Sequence, residues 1–302
     1  MEIPTEFKEL YKHWNKHTQE PPYAGNNCVN IPKELEYFIS ERMKIWEKKY
    51  RKEEPPYTTD TILQNYRFCN IYRELDRQTI EIHRALKPFT TNFPLWLLNL
   101  CFHRFICKSD TVDKVGLLSF DPANNASVYK NLMEVQKPKY GNAYIFPISV
   151  IQKSKYPTRE KFFCLYLPKV MLLIASKIES FKNLTVNEAL KVILPVFGFN
   201  MKFHWAEILI DVTYQHPEKI NLFQDFYIGP GALLTAKRLR PNKDPVETVN
   251  QCVNIKPRDF PYLQYNGKQV RLSAENWEGI FCEYRKYCNL KSGAGRRRKF
   301  GS

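Results

Sequence analysis

Between Tyr66 and Thr79 the chain packs Arg67, Arg73 and Arg77, the acids Glu74 and Asp76, and the rings of Tyr66, Phe68 and Tyr72. A guanidinium held by a carboxylate presents a planar fork that fits a phosphate or a base edge, and arginine interleaved with aromatic rings suits base stacking. Read as part of a helix from Thr61 to Leu86, Arg73 and Arg77 are i, i+4 neighbours, with Asn70 one turn before Arg73 on the same side. A solvated face laced with ion pairs has the same spacing, but it leaves Asn70 and the aromatic rings unexplained.

Three other stretches carry chemistry. Asp225 precedes Gly229-Pro230-Gly231 and a segment ending in Lys237 and Arg238. A Gly-Pro-Gly at a helix start offers backbone amides and a positive dipole end to an anion. Near the C-terminus, Glu283 and Tyr284 are placed for general acid/base or substrate-orienting work, with Lys286 and Tyr287 one turn on. Arg296, Arg297, Arg298 and Lys299 follow in a tail that suits DNA phosphates, a nuclear-import cluster or a solubilising end. Leu194-Pro-Val-Phe-Gly198, followed by Lys202, reads as a helix–hairpin–helix whose glycine lets backbone amides approach a phosphate. An ordinary αα-corner with a glycine C-cap reads the same way.

The elements that must position these groups are mostly helical. Leu35, Phe38, Ile39 and Met43 fall at helical spacing, and further helices are expected at 92–107, 113–118, 125–135, 162–178 (interrupted by Pro168), 186–192, 202–214 and 274–290. Residues 144–150 are the best strand candidate by composition, and 240–269 reads as long loop. Residues 1–31 are expected to be a peripheral segment with His13 and His17 on a solvated face. Residues 32–290 form the main helical domain, with its hairpin at 194–202, and 291–302 the basic tail.

Composition narrows the partners. The 46 basic and 31 acidic side chains leave +15, which favours a polyanion, while 43% hydrophobic residues suffice for a core. The longest apolar runs, such as Phe93–Phe102 and Val170–Ala175, fall short of the ~20 residues of a membrane span. The N-terminus has no apolar signal-like region, and the scattered cysteines fit reduced intracellular thiols. Cys101-x-His103-x3-Cys107 has half the spacing of a metal site, but its apolar setting favours small buried hydrophobes.

Three blocks, 60–79, 194–232 and 281–300, together resemble the DNA base hypermodification proteins that carry the 5-hydroxymethyluracil DNA kinase helical domain. These are also described as the α-glutamyl/putrescinyl-thymine pyrophosphorylase clade, and they are related to helix–hairpin–helix DNA glycosylases. The resemblance implies a mostly α, glycosylase-like architecture and action on 5-hydroxymethyluracil, or its phosphorylated form, in double-stranded or locally unpaired DNA. After base flipping, the chemistry would be phosphoryl transfer, with ATP and Mg²⁺, or displacement of pyrophosphate by an amine or amino acid, which needs neither; partner modification enzymes would supply adjoining steps. Arg67, Asn70, Arg73, Asp76 and Arg77 fall on the family's R-F-x-N-x-x-R-x-x-D-R pattern. Gly229, Pro230 and Gly231 fall on its GPG, and Glu283, Lys286 and Tyr287 on its C-E-[FY]-x-K-Y. Asp76, Glu283 and Asp225 are the carboxylates placed for catalysis; Gly198, Lys202, Lys237, Arg238 and the tail cations are placed for DNA.

The pattern is not complete. Leu75 stands where an acid is common, Leu233 and Leu234 where an arginine pair is expected, and Arg285 replaces an acid. No G-x-x-x-x-G-K-[ST] segment occurs. The glycosylase aspartate after the hairpin helix has no counterpart at Gly229–Gly231, which argues against a glycosylase-like repair enzyme. A catalytically silent DNA-binding module of the same fold is the alternative. An intracellular setting is expected: the nucleus in a eukaryote, otherwise the host cytoplasm or nucleoid.

Overall fold

The computed structural model describes residues 1–19 and 29–294, and these form two compact units. The first contains the described residues within 1–76 and 222–294, the second residues 77–221. Arg296, Arg297, Arg298 and Lys299 lie outside the described residues.

The first unit begins with α1 (Thr5–Leu10), α2 (Trp14–Gln19), α3 (Lys33–Tyr50) and α4 (Thr61–Asn65). The second unit follows with α5 (Arg77–Leu86), α6 (Phe93–Ile106), α7 (Ser109–Val115), α8 (Pro122–Glu134), α9 (Ile148–Lys153) and α10 (Arg159–Lys161). A π turn over Phe162–Tyr166 leads into α11 (Leu167–Glu179). Then come β1 (Leu184–Thr185), α12 (Val186–Phe197), α13 (Lys202–Gln215) and β2 (Ile220–Asn221), with β1 and β2 paired in parallel. The chain returns to the first unit with α14 (Pro230–Leu239), α15 (Pro245–Cys252), the hairpin β3 (Gln264–Tyr265) and β4 (Lys268–Gln269), and α16 (Ala274–Lys291). The fold is mostly helical, as expected.

In the first unit α3 turns Leu35, Phe38, Ile39 and Met43 inward, and the Phe38 ring lies 5.2 Å from Tyr287 of α16. In the second, Phe105, Phe146, Phe163 and Phe197 cluster around α6. Gly198 ends α12 in the left-handed region (φ 76°), and its amide donates to the Leu194 carbonyl at 2.9 Å. A side chain there would be strained, so the glycine is required by the turn itself.

Several expectations fail for identifiable reasons. The helix expected over 61–86 stops after Asn65. Residues 66–72 are non-helical, a single 3-10 turn covers Arg73–Leu75, and α5 starts afresh at Arg77. Asn70 and Asp76 bond to the local backbone, offering it an alternative to the helical ladder. Arg73 and Arg77 are therefore not i, i+4 neighbours. Residues 144–150 make no strand: Pro147 stands at the N-cap of α9, which takes up Ile148 onward. Within 240–269, Asp244 caps α15 with Pro245 in its first turn, and Asn266-Gly267, both at positive φ, close the β3–β4 hairpin.

Nor is the N-terminal segment peripheral. Phe7, Tyr11 and Trp14 are buried, and so are His13 and His17. His13 Nε2 meets Glu74 Oε1 at 3.0 Å, so its partner is an interior carboxylate and not water.

Candidate functional site

The segment 66–76 is held from both sides by charged groups. From α3, Arg42 donates to the Phe68 and Cys69 carbonyls at 3.0 and 3.2 Å, and its guanidinium lies 5.6 Å from the Phe68 ring. From α16, Glu283 Oε2 accepts the Cys69 amide at 3.2 Å and Lys286 Nζ donates to the Arg67 carbonyl. Lys286 also stands 3.5 Å from Glu283 and 4.6 Å from the Phe68 ring. Asn70 closes the segment on itself: its side-chain amide donates to the Leu75 carbonyl at 2.8 Å, and its backbone amide to Asp76 Oδ1 at 2.9 Å. Tyr11 and His13 hold the adjoining Glu74 by its carbonyl and carboxylate.

Asp76 is the group this frame presents. It is surrounded by protein yet keeps a solvent-accessible edge. Oδ1 takes the Asn70 amide, and Oδ2 has no hydrogen-bond partner among the described residues. Burial pushes its pKa from the ordinary carboxylate value up to about 7, reinforced by the Glu283 charge and opposed by the Asn70 amide, Arg73 and Arg42. A carboxylate titrating near neutrality is suited to accept and return a proton. The neighbouring Cys69 thiol moves the other way from a nucleophile: the Glu283 charge pushes its pKa up, which keeps it protonated.

The helix α16 joins the pieces. Besides Glu283 and Lys286, its Tyr287 donates to Asp60 Oδ2 at 2.7 Å, and Asp60 caps α4 through the amides of Ile62 and Leu63. Tyr284 donates to Glu34 of α3 at 3.0 Å. On another side α16 packs against α14, where Glu278 Oε1 accepts the Gly229 amide at 3.0 Å. A Cβ at Gly231 would collide with the Cys282 sulfur, so Gly231 is what lets the two helices close. Pro230 is exposed in the first turn of α14. The start of α14 thus already faces a carboxylate of its own fold.

Of the residues singled out in the sequence, Asn70, Arg73 and Asp76 fall together with Arg67, Glu283 and Lys286 in the first unit, and Gly229–Gly231 join them through α16. Arg73 is buried and Arg67 exposed. Asp225 sits at φ 47°, its amide donating to Asn250 of α15 at 2.8 Å. Lys237 and Arg238 are exposed on the last turns of α14. Arg77, Gly198 and Lys202 belong to the second unit, all exposed. Arg42 and Glu278 were missed. Arg42 had a signal: it is a lone cation four residues after Phe38 and three after Ile39, on the apolar face of α3. Among the described residues no three His, Cys, Asp or Glu side chains gather as a metal site requires, and no helix is long and apolar enough to cross a membrane.

A protein of Bacillus phage SP10 named 5-hmdU DNA kinase is 26% identical over 128 residues, covering 37% of this chain. The aligned stretch is 19% of the phage protein, so this chain corresponds to a minor part of that relative's length. No solved structure matches. The family described as 5-hmdU DNA kinase, helical domain, matches residues 30–296. With nearly its whole length inside that match, the chain belongs to the 5-hmdU DNA kinase helical-domain family, a family of DNA base modification.

Proposed function

We propose that this chain handles the nucleic-acid side of a hydroxymethyluracil modification: it holds 5-hydroxymethyluracil in DNA and activates the hydroxymethyl oxygen for phosphoryl transfer. The observation that carries the reading is Asp76, a carboxylate with a pKa near 7, one uncommitted oxygen and arginines beside it. As the hydroxymethyl oxygen bonds to the incoming phosphorus, its proton passes to Asp76 Oδ2 and the phosphorus–oxygen bond to the leaving diphosphate breaks. In this reading Arg73, whose charge acts on Asp76, and the exposed Arg67 of the same segment neutralise charge on the transferring group. A base inside a duplex is out of reach of such a carboxylate, so the target nucleotide is extruded. Displacement of a pyrophosphate already on the base by an amine would use the same cations, with the proton of the attacking nitrogen passing to Asp76 Oδ2 as the carbon–oxygen bond to pyrophosphate breaks.

One observation favours a second reading, a binding module without turnover. Glu283, Lys286 and Asn70 are engaged in fixing the 66–76 segment, so three residues of the family pattern have structural partners. The test is nucleoside mass spectrometry after incubating the purified chain with a 5-hydroxymethyluracil duplex, ATP and Mg²⁺. A phosphorylated nucleoside that is lost in Asp76→Asn supports the first reading. Unchanged nucleosides, with the duplex still bound, favour the second.

A further inference from the structure

The first unit also holds a pocket of about 630 Å³ between the loop after α15, the β3–β4 hairpin and the end of α2. Lys256, Lys268 and Arg271 line it with Asn254 and Gln269, and among the described residues no carboxylate does. Its other wall is apolar and aromatic, made of Val253, Leu272 and Tyr262. The volume is of the order of a small-ligand site.

The three cations differ in a useful way. Arg271 is fixed: its backbone amide donates to the His17 carbonyl at 3.2 Å, its guanidinium reaches the Val253 carbonyl at 3.4 Å, and it lies 5.7 Å from the Phe223 ring. Lys256 and Lys268 are exposed, and their side chains make no hydrogen bond or ion pair among the described residues. Lys268 is carried by a short hairpin whose Asn266-Gly267 turn sets its position. The Tyr262 hydroxyl likewise has no hydrogen bond among the described residues, and burial pushes its pKa up to about 12 even beside Arg271, so it stays a neutral donor. Two uncommitted ammonium groups and an anchored guanidinium around one concavity attract polyvalent anions. The flat ring of Tyr262 against aliphatic walls suits the face of a base.

We propose that this pocket is a nucleotide-phosphate site, with the phosphate held by Lys256, Lys268 and Arg271 and the base lying against Tyr262. The same chemistry is offered by a free nucleotide and by a nucleotide unit of a single strand. The site is independent of the role argued for Asp76.

Titration of the purified chain by fluorescence anisotropy, with a fluorescent ATP analogue and separately with labelled pentathymidylate, tests the proposal. Binding of one of the two is expected, weakening as salt rises, and the tighter probe identifies the source. Lys256→Ala/Lys268→Ala removes two surface charges that no fold contact uses, and is expected to raise Kd about tenfold or more for the bound probe. Asp76→Asn is expected to bind like the wild type. Absence of binding by both probes, an unchanged Kd in the double variant, or a parallel loss in Asp76→Asn would each overturn the proposal.

Discussion

Each unit contains a carboxylate beside an arginine, and the two are built to opposite ends. In the second unit Asp211 is fully buried, and Arg104 donates to both of its oxygens, at 2.6 and 2.7 Å. Arg104 also donates to Thr79 Oγ1 at 3.1 Å, and His83 Nε2 lies 3.2 Å from Asp211 Oδ1 with Gln215 Nε2 3.1 Å from His83 Nδ1. A neutral His83 with its proton on Nε2 satisfies both partners. Asp76, by contrast, has one committed oxygen, an accessible edge and a pKa raised to about 7. A buried carboxylate with both oxygens bonded fixes geometry, and one left half-satisfied at the surface of a rigid frame is available for proton transfer.

The contrast is broken most severely at Asp211. Asp211→Asn removes the counter-charge while Arg104 stays buried, which is expected to cost about 3–5 kcal/mol of stability. Urea unfolding measures it. A loss under about 1 kcal/mol would mean that the network does not hold the second unit together.

Asp76→Asn is expected to do the reverse. Asparagine keeps an oxygen for the Asn70 amide, as the protonated carboxyl does, so at pH 4 unfolding should shift by no more than about 1 kcal/mol, while the proposed phosphorylation falls by about 10²–10⁴-fold. The wild-type rate should rise with pH through about 7, because the base must be deprotonated. Stability runs the other way. A carboxyl whose folded pKa lies above its unfolded value binds its proton more tightly when folded, so its contribution is present below about pH 4 and is lost as pH rises to about 7. That loss should be absent in Asp76→Asn, a difference readable from unfolding midpoints at pH 4 and pH 7.

How much of this was legible beforehand follows from what each signal depends on. Long helices such as α3, α6 and α16 show their apolar faces at fixed spacing, because one buried side dictates the period. The 66–76 segment carries helix-compatible residues, and there local bonds from Asn70 and Asp76 prevail over propensity. Two cues were legible and passed over: Asp244-Pro245 as cap and first helical residue, and Asn266-Gly267 as a hairpin turn. The meeting of Glu283 with Cys69 joins residues 214 apart, and no local pattern encodes it. Resemblance grouped those blocks, but it could not say that Glu283 and Lys286 clamp the backbone.

The Gly-Pro-Gly start of α14 sharpens the same distinction between framing and chemistry. Gly231→Ala places a methyl group against the Cys282 sulfur across the α14–α16 contact, and overpacking of that kind costs about 1–3 kcal/mol. A thermal shift of that size with unchanged DNA affinity would assign the glycine to helix packing. Lost affinity in a variant of wild-type stability would return it to phosphate binding.

Arg77 gives the smallest effect and the finest discrimination. It opens α5 in the second unit with its side chain 91% exposed, and its ion pair is with Glu81 one turn on, at 3.3 Å. Exposed i, i+4 pairs contribute only about 0.3–0.5 kcal/mol, so Arg77→Ala should leave unfolding nearly where it was. A cation that meets a DNA phosphate has a different signature: its removal lowers the slope of log affinity against log salt by about one. Such a slope change with unaltered stability would give Arg77 a nucleic-acid role. An unchanged slope would reduce the arginine pattern to Arg67 and Arg73, and would leave the chemistry entirely within the first unit.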